Sequence, residues 1–264
     1  MKKLLCTLSA LLSFNVLADT GRADIATNRG LELMREANFN QITELSKESG
    51  SLQNIEYFVG NNKEVKSRGF LLGTVSNFVD APNIHAGLTV SYQKYKFKDS
   101  DTKDREYSLD TFLSYRKDNY LFIGGLGYTQ SKKVNKRAYS GNFEVGKFSS
   151  NQTLNLFDKG RFYYYAGIDS NKWKHKNMEN IRFNNFRLGV SSYHFIDRFR
   201  VVGNLEFNAD DKKYDINREK FNLAYSLAVG YNIYDDLLIE LKYKGTKNKN
   251  FYDNLISLGF THTF

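Results

Sequence analysis

Long stretches of this sequence alternate between apolar residues and small or polar ones, and this alternation constrains the fold more than any other feature. From 107 to 116 the odd positions are Tyr, Leu, Thr, Leu and Tyr, whereas the even positions are Ser, Asp, Phe, Ser and Arg. The same period of two runs through 84–93, 221–232 and 237–244. Because successive side chains of a strand point to opposite faces, each stretch predicts a strand with one apolar face.

Three properties of these strands predict a barrel that crosses a membrane rather than a soluble sandwich. They are about 9–11 residues long or longer, as a tilted strand must be to cross a bilayer, whereas soluble strands cluster near ~5–6 residues. Aromatic residues border the apolar faces, as Tyr107 and Tyr115 do, and such rings prefer the headgroup level. Short turns also alternate with long charged loops, which is the layout of outer-membrane barrels.

The pattern therefore predicts an all-β fold, a transmembrane antiparallel up-and-down barrel of about twelve strands over residues 52–264. An even strand number places both barrel ends on the side of the short turns, which is the periplasmic side. The segment 149–159 is longer than the other connections predicted on that side. The predicted strands are 52–60, 66–78, 84–97, 105–116, 120–131, 137–148, 160–171, 181–195, 198–208, 220–233, 236–246 and 254–264.

The first residues carry the pattern of an export signal. Two lysines precede an apolar run over 4–17, and the small residues of a cleavage site end at Ala18. We therefore predict a signal peptide over 1–18, cleaved after Ala18, and export to the outer membrane of a Gram-negative cell. The single cysteine, Cys6, lies inside this peptide, so no disulfide is expected in the mature chain.

Residues 19–51 separate the signal peptide from the first predicted strand, and they show a different period. Apolar residues recur there near the helical spacing, with Glu and Lys between them. These residues are Leu31, Met34, Ala37, Ile42 and Leu45. The spacing predicts one amphipathic helix from about 28 to 47, in or near the barrel lumen. A surface helix or a disordered leader is an equal alternative at this level.

Charged residues fall on the strand face opposite the lipid. Each would cost several kcal/mol in contact with lipid, so these side chains must point into the barrel. There they line water or pair with the helix, whose candidate partners are Glu32, Arg35, Glu36, Glu44 and Lys47. The predicted lumen-facing charges are Asp110, Arg116, Glu144, Asp169, Arg187, Arg200, Glu206, Glu240 and Lys242.

The net charge of +9 comes largely from lysines concentrated in the predicted loops. Loops on the outer side meet phosphorylated lipopolysaccharide, so outer-membrane lipid and lipopolysaccharide are the expected partners. Nucleic acid is not expected, because the aromatic residues belong to the membrane girdles rather than to a basic binding face. Trp173 is predicted in one of the long loops, as an interface anchor.

No motif predicts catalysis, a metal or a cofactor. The four histidines have no metal-ligand spacing. Ser192 and His194 are neighbours on one strand face without a third partner, and the acidic stretch 208–215 contains no histidine. We therefore expect neither an enzyme nor a bound cofactor.

Several stretches combine a Gly-containing strand, a short turn and a second strand. They are Arg68–Phe97, Glu106–Ser131, Leu223–Gly245 and the C-terminal NLISLGFTHTF. In this rhythm the chain resembles the autotransporter β-domain, the translocator of type V secretion, over about 52–264. The resemblance implies a helix that threads the lumen and links to an exported passenger.

A terminal Phe is common to many outer-membrane barrels, and the resemblance implies that the barrel-assembly machinery recognises it. The residues of this C-terminal assembly signal, all predicted to face lipid, are Ile256, Leu258, Phe260 and Phe264.

The same resemblance implies a passenger ahead of the helix, but only residues 19–51 lie between the predicted cleavage site and the first strand. We therefore expect an integral pore or scaffold without a passenger of its own, or one whose passenger or partner chain is separate. A small solute channel or a loop-mediated surface adhesin of another barrel family is the alternative.

Overall fold

One helix and twelve strands make up the protein, as described by a computed structural model. The helix, α1, spans Ile25–Ile42. Within the described part of the chain, no helix combines the length and the apolar character needed to cross a membrane. The described residues are 25–43, 51–62, 65–78, 80–98, 103–132, 136–150, 159–175, 178–211, 220–247 and 252–264. The predicted signal peptide and its cleavage at Ala18 lie outside them.

All twelve strands belong to one closed antiparallel barrel, which confirms the predicted fold class and strand number. Most predicted strand bounds agree with the structure to within a few residues. The strands are β1 (Leu52–Asn62), β2 (Val65–Phe78), β3 (Ala81–Phe97), β4 (Lys103–Lys117), β5 (Tyr120–Ser131), β6 (Arg137–Phe148), β7 (Lys159–His175), β8 (Met178–Ile196), β9 (Phe199–Asp210), β10 (Phe221–Tyr234), β11 (Leu237–Lys247) and β12 (Tyr252–Thr263).

The first and last strands close the barrel. β1 pairs with β12 from Leu52 opposite Thr263 to Asn62 opposite Asp253. The Phe264 amide then donates a hydrogen bond to the Ser51 carbonyl at 3.1 Å. Every strand thus has two neighbours and no edge is left unpaired, as lipid requires of a spanning sheet. The last strand runs to the C-terminal residues because it is the partner that β1 needs.

Two-residue turns predominate at one end of the barrel, here called the short-turn end, whereas at the other end only β1–β2 and β7–β8 are joined by two residues. At the short-turn end they join β4 to β5, β8 to β9, and β10 to β11. The first residue of two of these turns has a left-handed backbone, with φ of 54° at Asp118 and 49° at Asp197. Asp tolerates this conformation better than most residues because its short side chain hydrogen-bonds locally. β1 begins at this end, and the other end is called the long-loop end.

The outer face of the barrel carries an apolar band bordered by aromatic rings. Tyr57 lies beside Phe70 and Tyr92 lies beside Tyr107, with 5.0 Å between ring centroids in both pairs. Near the short-turn end, Phe199 and Tyr231 are also 5.0 Å apart. Between these belts the exposed side chains are apolar, for example Leu72, Val90 and Leu109. An apolar band between two aromatic girdles matches the profile of a bilayer.

The C-terminal strand follows the same two-faced pattern. Its exposed outer row contains all four residues of the predicted assembly signal, Ile256, Leu258, Phe260 and Phe264. His262 shares this face and lies 3.1 Å from the Asp236 carboxylate, measured from Nε2 to Oδ2, at the short-turn end.

The β7–β8 hairpin departs from the prediction. Residues 172–180 were expected to form a loop, whereas β7 continues to His175 and β8 begins at Met178. Trp173 therefore lies in a strand rather than in a loop, with only 2% of its surface exposed. Its ring meets Phe183 edge-on, and the Lys136 ammonium lies 4.8 Å from the ring centroid. These Lys- and Asn-rich residues therefore form paired strands rather than a loop.

Candidate functional site: a helix within the lumen

The helix α1 lies inside the barrel, from the middle of the lumen to the short-turn end. At its N-terminal end the Thr89 hydroxyl donates a hydrogen bond to the Ala26 carbonyl at 2.9 Å, and Thr27 bonds to Asp110. At its C-terminal end Gln41 donates to the Pro82 carbonyl at 2.9 Å. The predicted helix, 28–47, is shifted relative to the observed Ile25–Ile42. Its position agrees with the lumen alternative and not with a surface helix.

One side of α1 packs closely against β2–β5, here called the near wall. Small residues allow this approach. A methyl group added at Gly73 would collide with Leu33, and one added at Gly30 would collide with Phe112. Gly87 faces the Met34 sulfur, which would lie 3.0 Å from an added Cβ. The near wall therefore holds the helix by close, largely apolar contact.

Aromatic rings close the lumen around the C-terminal half of α1. Phe39 is completely buried and stacks on Tyr193 with 4.8 Å between ring centroids. Phe195 stacks on it at 5.7 Å, and Phe148 lies tilted at 6.4 Å. Such pairs contribute about 0.5–1.5 kcal/mol each beyond the burial of their surface. The cluster fills the lumen near the short-turn end with side chains from the helix and from β6 and β8.

The other side of α1 faces β6–β11, here called the far wall, through charged side chains. Arg35 forms a two-pronged ion pair with Glu144, in which Nε lies 2.7 Å from Oε1. Arg187 donates to the same carboxylate at 2.9 Å, and the Tyr163 hydroxyl donates at 3.1 Å. The Arg35 guanidinium also lies 3.9 Å from the Tyr165 ring centroid. Glu144, whose exposed fraction is 0%, thus joins Arg35 of the helix to Arg187 and Tyr163 of the wall.

A second ionic cluster joins α1 to β1, β9 and β11. Arg29 lies 3.0 Å from Glu56, measured from Nε to Oε2, and Arg200 pairs with Glu36. Arg200 also lies 3.0 Å from Glu240. Lys242 reaches Glu32 at 3.0 Å. Each of these ions has an opposite charge nearby, which buried ions need if they are to remain charged.

The structure places the predicted lumen charges on the inner face, most of them against α1 or against one another. Asp110 meets Thr27, and Arg116 donates to the Gln41 side chain at 2.9 Å near the short-turn end. Asp169 and Glu206 both lie within 3.5 Å of Arg187 rather than touching the helix. The remaining five belong to the two ionic clusters. Of the predicted helix partners, Glu44 and Lys47 lie outside the described residues.

Other members of these clusters were missed by the sequence analysis. They are Arg29, Glu56, Tyr163, Tyr165 and Lys244. All except Arg29 occupy inward positions on β1, β7 and β11, so the alternation along these strands could have identified them. Arg29 lies on the helix, and its partners are set by how the helix is rotated.

Little space remains between α1 and the far wall. Two voids of about 80 and 20 Å³ lie there, lined by residues of the helix and of β8–β11. A water molecule needs roughly 10–15 Å³ measured in this way, so these two voids have room for no more than a few waters. The helix therefore occludes this part of the lumen.

The described residues contain no group of three His, Cys, Asp or Glu side chains arranged to hold a metal ion. Ser192 and His194 sit on β8, and the His194 ring meets Phe162 edge-on with 5.5 Å between ring centroids.

A closed twelve-stranded barrel with an apolar outer band and a helix in its lumen defines a class of β-barrel proteins. Solved structures of two autotransporters share this fold. The translocator domain of the autotransporter NalP from Neisseria meningitidis is 12% identical, with a TM-score of 0.57, covering 93% of this chain and 98% of that one. The β-domain of the Bordetella autotransporter BrkA is 10% identical, with a TM-score of 0.58, covering 81% and 99%.

A channel shares the fold equally well. An outer membrane channel from Pseudomonas putida F1 is 8% identical, with a TM-score of 0.58, covering 82% of this chain and 96% of that one. No protein-family model matches this sequence, and no curated protein matches it. At these identities the likeness concerns the fold alone, and there the predicted resemblance to the autotransporter β-domain is confirmed.

Proposed function

We propose that this protein is an outer-membrane barrel that acts as a translocator-like pore, held closed at rest by α1. The observation that carries the proposal is the buried ion pairing of α1 with the far wall, centred on Glu144 and Glu36. Between the helix and the far wall, the voids that the described residues enclose are small, and this supports a lumen closed by α1.

The outer surface supports a membrane location. Exposed apolar side chains form a band between two aromatic belts, and a closed barrel leaves no strand edge to lipid. Burying this band in a bilayer explains why large apolar residues such as Leu126 and Leu188 are exposed. The C-terminal row from Ile256 to Phe264 is available on the same surface for recognition by the assembly machinery.

The direction of α1 supports the translocator-like function. Its C-terminal end lies beside Pro82 at the short-turn end, and its N-terminal end points toward the long-loop end. A polypeptide or partner segment joined to the N-terminal end of α1 would leave the barrel through the long-loop end.

A solute channel is the second candidate, favoured by the asymmetry of the lumen. The two voids described above lie on the charged side of α1, where a small displacement would connect them. The channel from Pseudomonas putida F1, with the same fold, shows that this architecture can serve as a channel.

Planar-bilayer recordings of single molecules test whether α1 closes the lumen. The chain from residue 19 is compared with a variant in which residues 25–42 are replaced by a Gly/Ser linker of equal length. We expect low conductance in the first and a severalfold increase in the second. Asn28→Ala is the matched control, since Asn28 is an exposed position on the helix.

Equal and steady conductance in the chain and the linker variant would contradict the proposal, because α1 would then not close the lumen. No conductance in either would also contradict it, and would indicate a barrel filled by its own side chains. Conductance that opens and closes in the intact chain would favour the channel over the translocator-like pore.

A further inference from the structure

Seven basic side chains cover the outer face of β2–β5 at the long-loop end. All are exposed, and the set is here called the outer basic patch. Its members are Lys66, Arg68, Lys94, Lys96, Lys103, Arg105 and Lys132.

The strand register arranges the patch in two rows. Arg68 is opposite Lys94, which is opposite Arg105, and the Lys132 amide extends this row by donating to the Arg105 carbonyl at 3.0 Å. The second row lies one outer position nearer the long-loop end. In it Lys66 is opposite Lys96, which is opposite Lys103. Like charges directly opposite each other on one sheet face repel and destabilise the pairing. The arrangement therefore favours an anion that lies across both rows.

The carboxylates of these strands belong to the opposite face. Asp104 accepts a hydrogen bond from the Ser131 hydroxyl, and Glu106 accepts from Gln93 at 2.6 Å and from Tyr95 at 2.7 Å. Both side chains are buried on the lumen side. On the described outer positions of β2, β3 and β4 in these two rows, every residue is Lys or Arg and no carboxylate is interleaved.

The patch lies at a defined depth. On β2, β3 and β4 the next outer position toward the bilayer is aromatic. Phe70 is opposite Tyr92, which is opposite Tyr107. Two residues span about 6.6–6.8 Å along a strand, so the first basic row lies within one such step of the girdle. Lys94 Nζ is 5.8 Å from the Tyr92 ring centroid. Because the girdle marks the headgroup level, the patch meets the outermost charged part of the headgroups.

The patch also has a shape that fits a bulky group. A groove of about 1,010 Å³ is lined by all seven basic residues together with Val59, Ser67, Tyr95 and Asp104. This volume is at the upper end of those that hold small molecules, which run to about 1,000 Å³. Below the groove, Leu72 and Val90 present an exposed apolar surface.

The outer basic patch ends on the side of β1, β12 and β11. The row of Lys66 continues across β1, β12 and β11 as Asn61, Asn254 and Gly245, none of which is charged. A ring of cations all round the rim would serve general attraction to an anionic surface. A local cluster with a groove indicates a particular ligand.

We propose that the outer basic patch binds the phosphorylated headgroup of an outer-leaflet glycolipid, with the acyl chains against the apolar band below. Phosphate groups bridge the two rows, because Arg68 and Arg105 can each donate two parallel hydrogen bonds and the lysines add point charges. The proposal rests on the outer-membrane location proposed above. It does not depend on whether α1 closes the lumen.

Native mass spectrometry of the folded chain tests the proposal, with a glucosamine-based glycolipid carrying two phosphate groups as the probe. The test variant is the triple substitution Arg68→Gln, Lys94→Gln and Arg105→Gln. We expect its affinity for the probe to fall by about tenfold or more, which corresponds to the loss of several charge-assisted contacts. The same glycolipid without phosphate should bind the original chain as weakly as the phosphorylated probe binds the variant.

A second basic group on the same end provides a matched control. Arg137 lies opposite Lys174 on the outer face, and Lys172 lies opposite Arg182. The triple substitution Arg137→Gln, Lys172→Gln and Lys174→Gln removes the same number of charges and should leave affinity for the probe within about twofold. The pair Arg68→Lys and Arg105→Lys keeps every charge but loses the paired donors, so it should bind the probe more weakly than the original chain and more tightly than the triple variant.

Equal losses in the two triple variants would overturn the proposal, because net charge rather than the patch would then bind the glycolipid. Equal binding of the unphosphorylated glycolipid would overturn it as well. Insertion into lipid vesicles is measured in parallel. Gels detect the inserted barrel, because the folded barrel resists unfolding in them. If the barrel inserts but binds both glycolipids equally, only the proposed role of the outer basic patch is contradicted. If the barrel does not insert, the proposed outer-membrane location is contradicted.

Discussion

The two walls of the lumen hold the same helix by different physical means. At the near wall, Gly73 and Gly87 let Leu33 and Met34 approach the strands closely, so the helix lies against the sheet. At the far wall, long charged side chains such as Arg35 and Arg200 bridge a wider gap to their carboxylates. The helix is therefore off-centre, and the two voids described above lie on the charged side.

This difference predicts how the stability of the barrel should respond to substitutions in each wall. Close packing tolerates the loss of a weak polar contact but not added volume, because neighbouring atoms have no room to move. An ionic network tolerates extra space but not the loss of one partner, because the charges left behind are buried and unpaired. Three substitutions test this contrast.

The largest effect is expected at the far wall, for Glu144→Ala. Its removal leaves the Arg35 and Arg187 guanidiniums without the carboxylate that they share, so the free energy of unfolding should fall by about 3–5 kcal/mol. Urea-induced unfolding of the barrel from lipid vesicles measures this change. Glu206→Gln is the comparison, because Glu206 is partly exposed and lies 3.5 Å from Arg187. Equal costs for the two variants would show that the network is not centred on Glu144.

An intermediate effect is expected at the near wall, for Gly73→Val. The added side chain collides with Leu33, and such overpacking typically costs about 1–3 kcal/mol. The same unfolding experiment should show this loss, and displacement of α1 should raise the conductance of the intact chain. Gly141→Val is the control, because the nearest atom to an added Cβ there is on Leu126 at 3.8 Å. A neutral result for both would mean that the helix does not lie against the near wall.

The smallest effect is expected for Ser114→Ala, which removes a polar contact from the near wall. Asn38 donates to the Ser114 hydroxyl at 3.2 Å but also to the Met34 carbonyl at 2.8 Å, and the second bond remains. The free energy of unfolding should fall by about 1 kcal/mol or less, the usual net contribution of a neutral hydrogen bond. If the free energy of unfolding fell as much as for Glu144→Ala, the proposed distinction between a packed near wall and an ionic far wall would be contradicted.

Much of the barrel could be predicted from the sequence because lipid imposes a strict rule on each strand. Alternation at 107–116 and 237–244 assigns every side chain to lipid or lumen, and a slip of one residue would turn the whole strand inside out. The rule weakens beyond the bilayer, where either face meets water. There the extension of β7 and β8 past 171 was missed, together with the strand position of Trp173.

The partners inside the lumen could not be predicted in the same way. The sequence indicates that Glu144 and Arg187 face inward, but not that both meet Arg35, because this depends on the rotation and depth of α1. The helix has an apolar side against the near wall and a charged side against the far wall, and both sides are enclosed. Its spacing alone therefore left its location open.

The buried position of Trp173 has a spectroscopic consequence. It is the single tryptophan of the chain, and it is enclosed by Phe183 and Lys136 at the end of the barrel farthest from the Phe39 cluster. Its fluorescence is therefore an intrinsic optical probe of the long-loop end, with no label and no background from other indoles. Emission from this ring should respond to ligands or antibodies that engage the β7–β8 hairpin, while motion of the helix end at the opposite opening leaves it unchanged.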